Sequence, residues 1–591
     1  NWDTGRIIAT YNGSSGIPFR YGSLTETQKN LLNSNATTAQ NILNFLRGDR
    51  SLEKPVGTFR DRFSVLGDII HSSPVFENGV LYTGGNDGML HAFSATDGSE
   101  IFAYVPNLVF PRLKNLTDPA YYGNHTYYVD LSPVIQPGVD QGESTMTLLV
   151  GGLAKGGKGY YAIDVSDPAS MNTDANVASK VLWEYGNDDD LGYSYARPAI
   201  VDSNDDNLNA NGTGWMVIAG NGYNSENGRA VLLIFDPSNG QLLKRIDTGV
   251  GSCNGLSTPV VIDVNYDDRV DYVYAGDLKG NLWKFDLTNS DYTKWGVAFG
   301  VDSNSNGSIN YSEGDDPEPL FQAPGQPITT KPDVMRHPER HGYIVVFGTG
   351  KYLGSTDYKN HSVNTIYGIW DYGDDSDDSE YLGSLTDRAT GQLSYPTGTS
   401  LLKQEIVLST EDDQNFWTVG ENKLRILTDN PPNWMTTTDP DDPGYNPDPV
   451  ANAGWYFDLP LTGERMITDV MIRDAKAIVI TFTPEEAPCS IGGDSIVHEM
   501  DAASGGRLLV AQFDIGGAAA IDSEDLINIG TEASPEWVAP TGIQKTGRLH
   551  APAILRMGST EMKYFSSSEG TIKRVREKPP KVGVRYWREL E

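Results

Sequence analysis

Short apolar runs bounded by turn residues dominate the hydrophobic pattern of this 591-residue chain. The clearest example, residues 257–286, opens with Pro259 and a β-branched run that is too short for a helix and stops at Asp263. A second apolar run, 270–275, follows an acidic turn. Large apolar side chains then occupy every second position at Trp283, Phe285 and Leu287. Short buried runs and period-two alternation both predict β-strands.

This unit recurs about every 60–70 residues from residue 56 onward. A proline opens the units at Pro74, Pro133, Pro198, Pro259, Pro332 and Pro552. A glycine-rich turn and a run rich in aromatic residues follow, and the gap between the last two prolines predicts about three more units. Four short strands per repeat are typical of a propeller blade. We therefore expect an all-β fold, a modified β-propeller of about seven blades over residues 56–575.

The two ends of the chain differ from the repeats. Residues 1–55 predict a short helical N-terminal lead-in, with one helix from a capping box at Ser23–Glu26 through Leu32 and another over Ala39–Arg47. Residues 576–591 form a basic C-terminal tail that alternates apolar and charged residues. The tail fits a strand that pairs with another subunit and, equally, a strand that closes the propeller. Because the chain begins without a signal peptide, we expect it to be an excised portion of a longer protein.

Charge narrows the range of partners. The chain has 45 Lys and Arg residues against 79 Asp and Glu residues, a formal net charge of −34. Such a charge repels phosphate backbones and anionic lipid, and it suits divalent cations. No run approaches the ~20 apolar residues that span a bilayer. The sequence thus predicts no nucleic-acid binding and no membrane insertion.

The acidic turn of the 257–286 stretch has the oxygen spacing of a calcium loop. Such a loop supplies side-chain oxygens at positions 1, 3, 5 and 9 and a main-chain carbonyl at position 7. Here the side chains are those of Asp263, Asn265, Asp267 and Asp271, and the carbonyl is that of Arg269. Position 6 is not the glycine of an EF-hand and position 12 is not glutamate, so the chelating turn must close at Asp271. The alternative is a solvated acidic hairpin.

A second loop matches the EF-hand pattern D-x-[DN]-x-[DN]-G-x5-E at every position. Its predicted calcium ligands are Asp302, Asn304, Asn306, Ser308, Asn310 and Glu313. The flanking segments are not helical, so this would be an EF-hand-like loop without its helix pair, and a solvated loop is the alternative. The related stretch 202–206 lacks an oxygen at position 9 and is predicted to be only a solvated loop.

Three further features each leave two interpretations open. Arg47-Gly48-Asp49 is an integrin-type motif or, alternatively, the end of a helix closed by a left-handed glycine. Cys253 and Cys489 form a long-range disulfide or stay as two buried thiols. The acidic runs 374–380 and 439–443 are predicted to be mobile loops.

Residues 63–93, 257–286 and the ending G-V-R-Y-W-R-E-L together resemble the C-terminal region of the PilC/PilY family of type IV pilus biogenesis factors and tip adhesins. The resemblance covers nearly the whole chain. It implies a quinoprotein-like propeller and an extracellular location at the pilus tip, with export and outer-membrane association. It also implies that the protein acts with minor pilins in pilus assembly, surface attachment and twitching motility. Calcium would control whether the pilus extends or retracts.

The resemblance leaves the host or abiotic surface ligand undefined, because the family's variable N-terminal region has no counterpart here. We predict contact with minor pilins through residues 576–591 and no enzymatic activity. The alternative is a quinoprotein-type dehydrogenase that uses pyrroloquinoline quinone (PQQ). Those enzymes often carry a vicinal disulfide and hold calcium through scattered residues, whereas the two cysteines here are far apart and the predicted calcium loop is contiguous. No catalytic cluster of side chains is evident in the sequence.

Overall fold

The computed structural model describes residues 1–372, 381–395, 398–434, 451–485, 492–517, 521–557 and 560–577. Seven sheets, each with an antiparallel core, follow in chain order along these residues, except that two strands of the sixth precede the last strand of the fifth. Each begins with a strand near a common channel, to which all seven units contribute residues. The predicted all-β class, a modified β-propeller, is confirmed. We number the sheets blade 1 to blade 7 in chain order.

Blades 1 to 4 each contain four antiparallel strands. Blade 1 consists of Val75–Glu77, Val80–Gly85, Met89–Ser94 and Glu100–Val105; blade 2 of Val134–Asp140, Thr145–Gly152, Tyr160–Asp164 and Val181–Tyr185; blade 3 of Ala199–Ser203, Met216–Gly220, Val231–Phe235 and Leu242–Asp247; blade 4 of Val260–Ile262, Tyr272–Gly276, Asn281–Asp286 and Gly296–Val297. Phe321–Gln322 adds to the third strand of blade 4, and Arg269–Val270 pairs in parallel with the first strand of blade 3.

Blades 5 and 6 are enlarged by inserted strands, and blade 7 has three strands among the described residues. Blade 5 consists of Asp333–Arg336, Tyr343–Gly348, Thr365–Asp371 and Asn452–Asp458 with the additions Leu385–Asp387, Gln392–Leu393 and Ser400–Gln404; blade 6 of Met471–Arg473, Lys476–Pro484, Gly493–Asp501 and Gly542–Thr546 with the additions Trp417–Val419, Asn422–Arg425 and Arg465–Met466; blade 7 of Ala553–Met557, Thr560–Ser566 and Ile572–Glu577. Two small pairs, Phe299–Val301 with Asp316–Glu318 and Ile527–Asn528 with Trp537–Val538, lie outside the blades.

The opening proline of the repeat marks the start of a blade. All six prolines directly precede a first strand. Proline fixes its backbone φ at an extended value, and its missing N–H is tolerated where a strand begins. Blade 6 is the exception, since Met471 follows Val470. The prediction of about three further units between Pro332 and Pro552 was wrong. The gap holds one complete further blade, and inserted strands account for the remaining described length.

The N-terminal segment is not only helical, in contrast to the prediction. Ile8–Tyr11 runs parallel to the last strand of blade 1 and pairs with Gly16–Pro18, so the segment widens that sheet. Helices α1, Glu26–Leu32, and α2, Ala36–Arg47, pack against it, and the short helices α3 and α4 are Phe110–Leu113 and Asp174–Ala178.

Both N-terminal helices begin elsewhere than predicted. The capping box of α1 is formed by Thr25 and Gln28, whose side chains each bond the other's backbone N–H, and not by Ser23–Glu26. Helix α2 begins three residues before the predicted start because Asn35 caps it through the N–H of Thr38. Both helices end where the sequence predicted.

Several sequence predictions lie outside the described residues: the acidic runs 374–380 and 439–443, Cys489 and residues 578–591 of the tail. The last described strand ends at Glu577, two residues beyond the predicted end of the propeller. The domain boundaries stay predictions. The core is divided among the blade interfaces, where Trp183, Trp283, Trp295 and Trp455 are fully buried.

A half-buried carboxyl group joins blades 1 and 2 and is expected to make stability depend on pH. Glu184 accepts hydrogen bonds from the Tyr104 hydroxyl and from the Asn107 N–H, which lies 2.7 Å away. Burial raises the pKa of Glu184 to about 7, although both hydrogen bonds act to lower it. The folded state therefore holds this proton more tightly than the unfolded chain, and its contribution is lost as the pH rises through 7.

Glu184→Gln is expected to flatten the dependence of unfolding free energy on pH between about 4.5 and 7, and to stabilise the protein at pH 8 by about 1–3 kcal/mol. The glutamine oxygen can accept the same two hydrogen bonds without ionising. Chemical denaturation at pH 5 and pH 8 measures the effect, with the exposed Glu143→Gln as control. An unchanged pH dependence in Glu184→Gln would contradict the assignment.

Candidate functional site

The first predicted calcium loop, residues 263–271, connects two strands of blade 4. Strand Val260–Ile262 delivers Asp263 to the edge of the blade, where its side chain is 5% exposed. The Asp263 carboxylate accepts main-chain hydrogen bonds from Tyr266, at 2.6 Å, and from Asp268, at 2.9 Å. The loop is therefore curled around its first carboxylate, as a chelating loop requires.

The turn closes without the glycine of an EF-hand. Tyr266 and Asp268 both have φ of +67°, a left-handed conformation that aspartate tolerates better than most residues. The Asn265 and Asp267 side chains each accept a hydrogen bond from the backbone N–H two residues further on, at 2.9 and 3.0 Å. Local side-chain bonds thus supply the turn that the sequence left unexplained.

Asp271 completes the loop from the start of the next strand. It is buried, and its carboxylate accepts bonds from the Val264 N–H at 2.7 Å and from the Asn204 side chain at 3.1 Å. Burial raises the pKa of Asp271, and the carboxylates of Asp263 and Asp267 raise it further. The loop holds clustered negative charge that a divalent cation would relieve.

The oxygen set fits calcium in identity and spacing, but the side chains are arranged for hydrogen bonding. The carboxylates of the loop accept backbone N–H groups, and the Arg269 guanidinium pairs with Asp206, outside the loop. Within the ranges described, no three carboxylate, imidazole or thiolate groups converge in a metal-binding arrangement. Binding would thus need Asp267 and Asp271 to turn toward a common centre, and the predicted site stays a prediction.

Sequence reasoning missed the neighbouring loop of blade 3. Asn204, predicted to be merely solvated, donates to the Val270 and Leu287 carbonyls at 2.9 and 3.2 Å as well as to Asp271. The parallel pairing of Arg269–Val270 with blade 3 brings the two loops together. This pairing joins segments that are distant in the sequence. The acidic composition that both loops share is the only sequence signal for their contact.

The second predicted loop has the backbone of an EF-hand in its first half. Asp302 accepts the Gly307 N–H at 2.7 Å, and Gly307 has the left-handed φ of +81° that the pattern requires. Asn304 and Asn306 accept the N–H groups of Asn306 and Ser308 at 2.9 and 2.8 Å. The pattern therefore predicted this half of the turn correctly.

In the second half of this loop, the oxygens proposed as calcium ligands already bond to other groups of the protein. Asn310 is buried and bonds to the Asp247 N–H and the Arg245 carbonyl, at 3.0 and 2.9 Å. The Lys294 ammonium donates to the Asn306 carbonyl, and the Lys244 ammonium lies 3.3 Å from the Glu313 carboxylate. Two positive charges already lie at the loop, so its fit to calcium is poorer than that of the first loop.

The integrin-type motif Arg47-Gly48-Asp49 is the end of helix α2. Arg47 is 1% exposed, and its guanidinium donates to the main-chain carbonyls of Phe19, Arg6 and Asp3. Gly48 has φ of +119° and closes the helix. An integrin could not reach the arginine in this fold, so the structural interpretation holds and the integrin interpretation was wrong.

Cys253 is exposed and has no disulfide partner among the described residues. It is therefore not a buried thiol, which removes one of the two interpretations for this residue. Cys489 lies outside the described residues, and the disulfide stays a prediction. Among the described helices, none is long and apolar enough to cross a membrane.

Seven blades around a shared channel, enlarged by insertions and carrying an oxygen-rich loop at one blade edge, define a modified β-propeller. Residues 66–416 match the family model described as the PilY1 beta-propeller domain. The chain belongs to this family, which confirms the resemblance seen in the sequence.

Individual relatives agree with the family match. The chain is 35% identical over 576 residues to the type IV pilus biogenesis factor PilY1 of Pseudomonas aeruginosa strain PAK, covering 88% of this chain and 46% of that protein. A homolog from Xylella fastidiosa is 32% identical over 88% of this chain and 35% of its own length. The crystal structure of the P. aeruginosa PilY1 C-terminal domain matches with a TM-score of 0.62 at 30% identity, over 85% of this chain and 93% of that one. The chain thus spans less than half the length of these curated relatives.

Proposed function

We propose that this chain is the calcium-binding propeller of a type IV pilus biogenesis factor that acts as an adhesin at the pilus tip, outside the cell, without catalysis. Relatives named as type IV pilus biogenesis factors match 88% of the chain. The observation that carries the calcium part is the clustered negative charge of the 263–271 loop, where burial and two neighbouring carboxylates raise the pKa of Asp271.

Calcium bound in the 263–271 loop of blade 4 would stabilise the contact of this loop with blade 3. The ion neutralises the carboxylates of Asp263, Asp267 and Asp271, which otherwise repel one another. Asn204 and the Arg269–Asp206 ion pair then transmit the order of the loop to blade 3. The surface would be ordered with calcium bound and loosened without it. Calcium would thereby control surface attachment and the choice between pilus extension and retraction, on which twitching motility depends.

The second loop is included as a weaker calcium site. Its first half presents the Asp302, Asn304 and Asn306 oxygens around the left-handed Gly307. Calcium there would displace the Lys294 ammonium and free Asn310 from its present bonds. In the first loop calcium would displace no ammonium group, so this loop is expected to bind calcium at a lower concentration than the second.

Minor pilins are the proposed assembly partners, bound through residues 576–591. This segment is basic in an otherwise acidic chain, and its first two residues are the end of the last described strand of blade 7. Removal of residues 578–591 is expected to abolish co-purification with minor pilins while calcium binding persists. The surface ligand, host or abiotic, is a separate partner of the exposed propeller.

Saturating calcium is expected to raise the unfolding temperature by about 2–5 °C relative to EDTA, because a ligand at 100 times its dissociation constant stabilises the fold by about 2.7 kcal/mol. Asp263→Ala is expected to remove most of this calcium-dependent rise, leaving only the part that the weaker second loop contributes. Scanning fluorimetry with calcium, magnesium or EDTA measures it.

The control is Asp387→Ala, which removes an exposed aspartate at the end of a strand of blade 5 that accepts the Ala389 N–H at 2.8 Å. It is expected to leave the calcium response intact. If calcium leaves the wild-type unfolding temperature unchanged, or if Asp263→Ala responds like the wild type, the first loop is not the calcium site.

A further inference from the structure

The channel of the propeller contains a cavity of about 640 Å³ at the starts of the blades, with polar and apolar side chains in its wall. The residue before each first strand's opening proline contributes to its wall, including Ser73, Ser132 and Thr258. The cavity is within the size range of small-molecule sites, about 300–1,000 Å³. It shares no residue with the 263–271 loop.

Two polar groups in this wall have no bonding partner among the described residues. Asp130 is 1% exposed; its Oδ2 lies 2.6 Å from His71 Nδ1, but its Oδ1 is buried and unpaired. The Thr330 hydroxyl is likewise buried and unpaired. Buried polar groups in native proteins are nearly always satisfied, so both require a partner that the described residues do not supply.

The charges of the wall indicate the class of that partner. Arg197, Lys331 and Arg548 are balanced by Asp130, Asp333 and Asp469. The Arg197 guanidinium is paired with Asp469 at 2.6 Å. A polyanion would find no net positive field here, and a metal ion would find no converging set of three acidic, imidazole or thiolate ligands among the residues described.

Hydroxyl and phenol groups also lie in the wall of the cavity. Six serine or threonine side chains line the cavity, and so do Tyr195, Tyr223 and Tyr352. Tyr195 is half-buried, and its ring lies 5.7 Å from that of Tyr223. Such a wall offers aromatic surface beside many donors and acceptors, which suits a ligand that carries several hydroxyl groups.

We propose that the channel binds an uncharged mono- or disaccharide, with one sugar hydroxyl donating to Asp130 Oδ1 and another bonding to the Thr330 hydroxyl. This site goes beyond the proposed calcium and pilus roles and does not depend on them. It would give the propeller a carbohydrate specificity of its own.

Saturation-transfer NMR with methyl glycosides of glucose, galactose, mannose and N-acetylglucosamine tests the site, with citrate as the anionic comparison. At least one glycoside is expected to bind in both calcium and EDTA, and citrate is expected not to compete. Asp130→Asn is expected to weaken binding about tenfold or more, since it removes a charged acceptor. The exposed Asp189→Asn is expected to have no effect.

Thr330→Val keeps the side-chain shape and decides the question if Asp130→Asn does not fold. Binding that weakens in Asp130→Asn or Thr330→Val but not in Asp189→Asn supports the site. The inference is overturned if no glycoside binds, if citrate displaces the glycoside, or if both channel variants bind as the wild type does. A crystal soaked with the glycoside that shows only water at Asp130 would also overturn it.

Discussion

Replacement of Glu499 by glutamine is expected to lower the free energy of unfolding by about 3–5 kcal/mol, because two buried ammonium groups lose the ionised one of the two carboxylates that they share. Glu499 is fully buried, 2.6 Å from the Lys563 Nζ and 2.9 Å from the Lys476 Nζ. Lys476 belongs to blade 6 and Lys563 to blade 7, so the carboxylate joins the two blades. Chemical denaturation at pH 7 measures the loss.

The fourth member of the cluster explains why Glu499 is the residue to change. Burial and the adjacent Glu499 raise the pKa of Glu577 to about 8. Burial also acts to raise the pKa of Glu499, but the ammonium groups of Lys563 and Lys476 outweigh it and lower that pKa. At neutral pH, Glu499 therefore carries the negative charge of the cluster. The variant's deficit should shrink as the pH falls below about 4.5, where an unfolded carboxyl begins to bind protons.

Glu569→Gln is the matched control, because it makes the same change in a partly exposed pair with Lys573 on blade 7. Surface pairs contribute about 0–1 kcal/mol, so its effect is expected to be small. The double variant Glu499→Gln/Lys476→Met is expected to recover part of the loss, since one uncompensated cation is removed. Equal losses in Glu499→Gln and Glu569→Gln would show that the buried charge is not what joins the blades.

The sequence predicted those parts of the fold that depend on local chemistry. A proline before an apolar run fixes a strand's start wherever it occurs, which located six of the seven blades. Blade 6 begins at Met471 without a proline, so its first strand carried no such mark. The inserted strands of blades 5 and 6 pair with distant segments, and spacing along the chain could not separate them from additional blades.

The candidate site shows the same limit. The oxygen spacing of 263–271 is a local property, and the structure places this loop between two strands of blade 4. The contact of Asn204 with Asp271 depends on strand pairing between two blades, so it has no local signal. Arg47 failed as a motif for a related reason. Its burial is decided by the carbonyl groups of residues 3, 6 and 19, which the tripeptide does not contain.

Asp277→Ala is expected to destabilise the protein by about 4 kcal/mol or more, a loss in the range that marks a broken buried network. Asp277 is fully buried in the turn between the second and third strands of blade 4. One carboxylate oxygen accepts the N–H groups of Lys279 and Asn281, both at 2.9 Å. The other accepts side-chain donors from Asn254 and Asn281 at 2.9 and 2.8 Å and from Trp283 at 3.0 Å.

The size of this effect follows from what the substitution leaves behind. An alanine removes one acceptor group but leaves five donors without it, four of them buried, which come from the turn, from the next strand and from the preceding loop. Asp277→Asn should be intermediate, because its amide keeps one oxygen but directs an NH₂ group at donors. Asp97→Ala is the control, since Asp97 accepts only local bonds from Ser99 in an exposed turn of blade 1. Denaturant unfolding of the three variants should rank Asp277→Ala below Asp277→Asn, and Asp277→Asn below Asp97→Ala. A different order would mean that the turn of blade 4 is held by its apolar packing around Trp283, and that the carboxylate is replaceable.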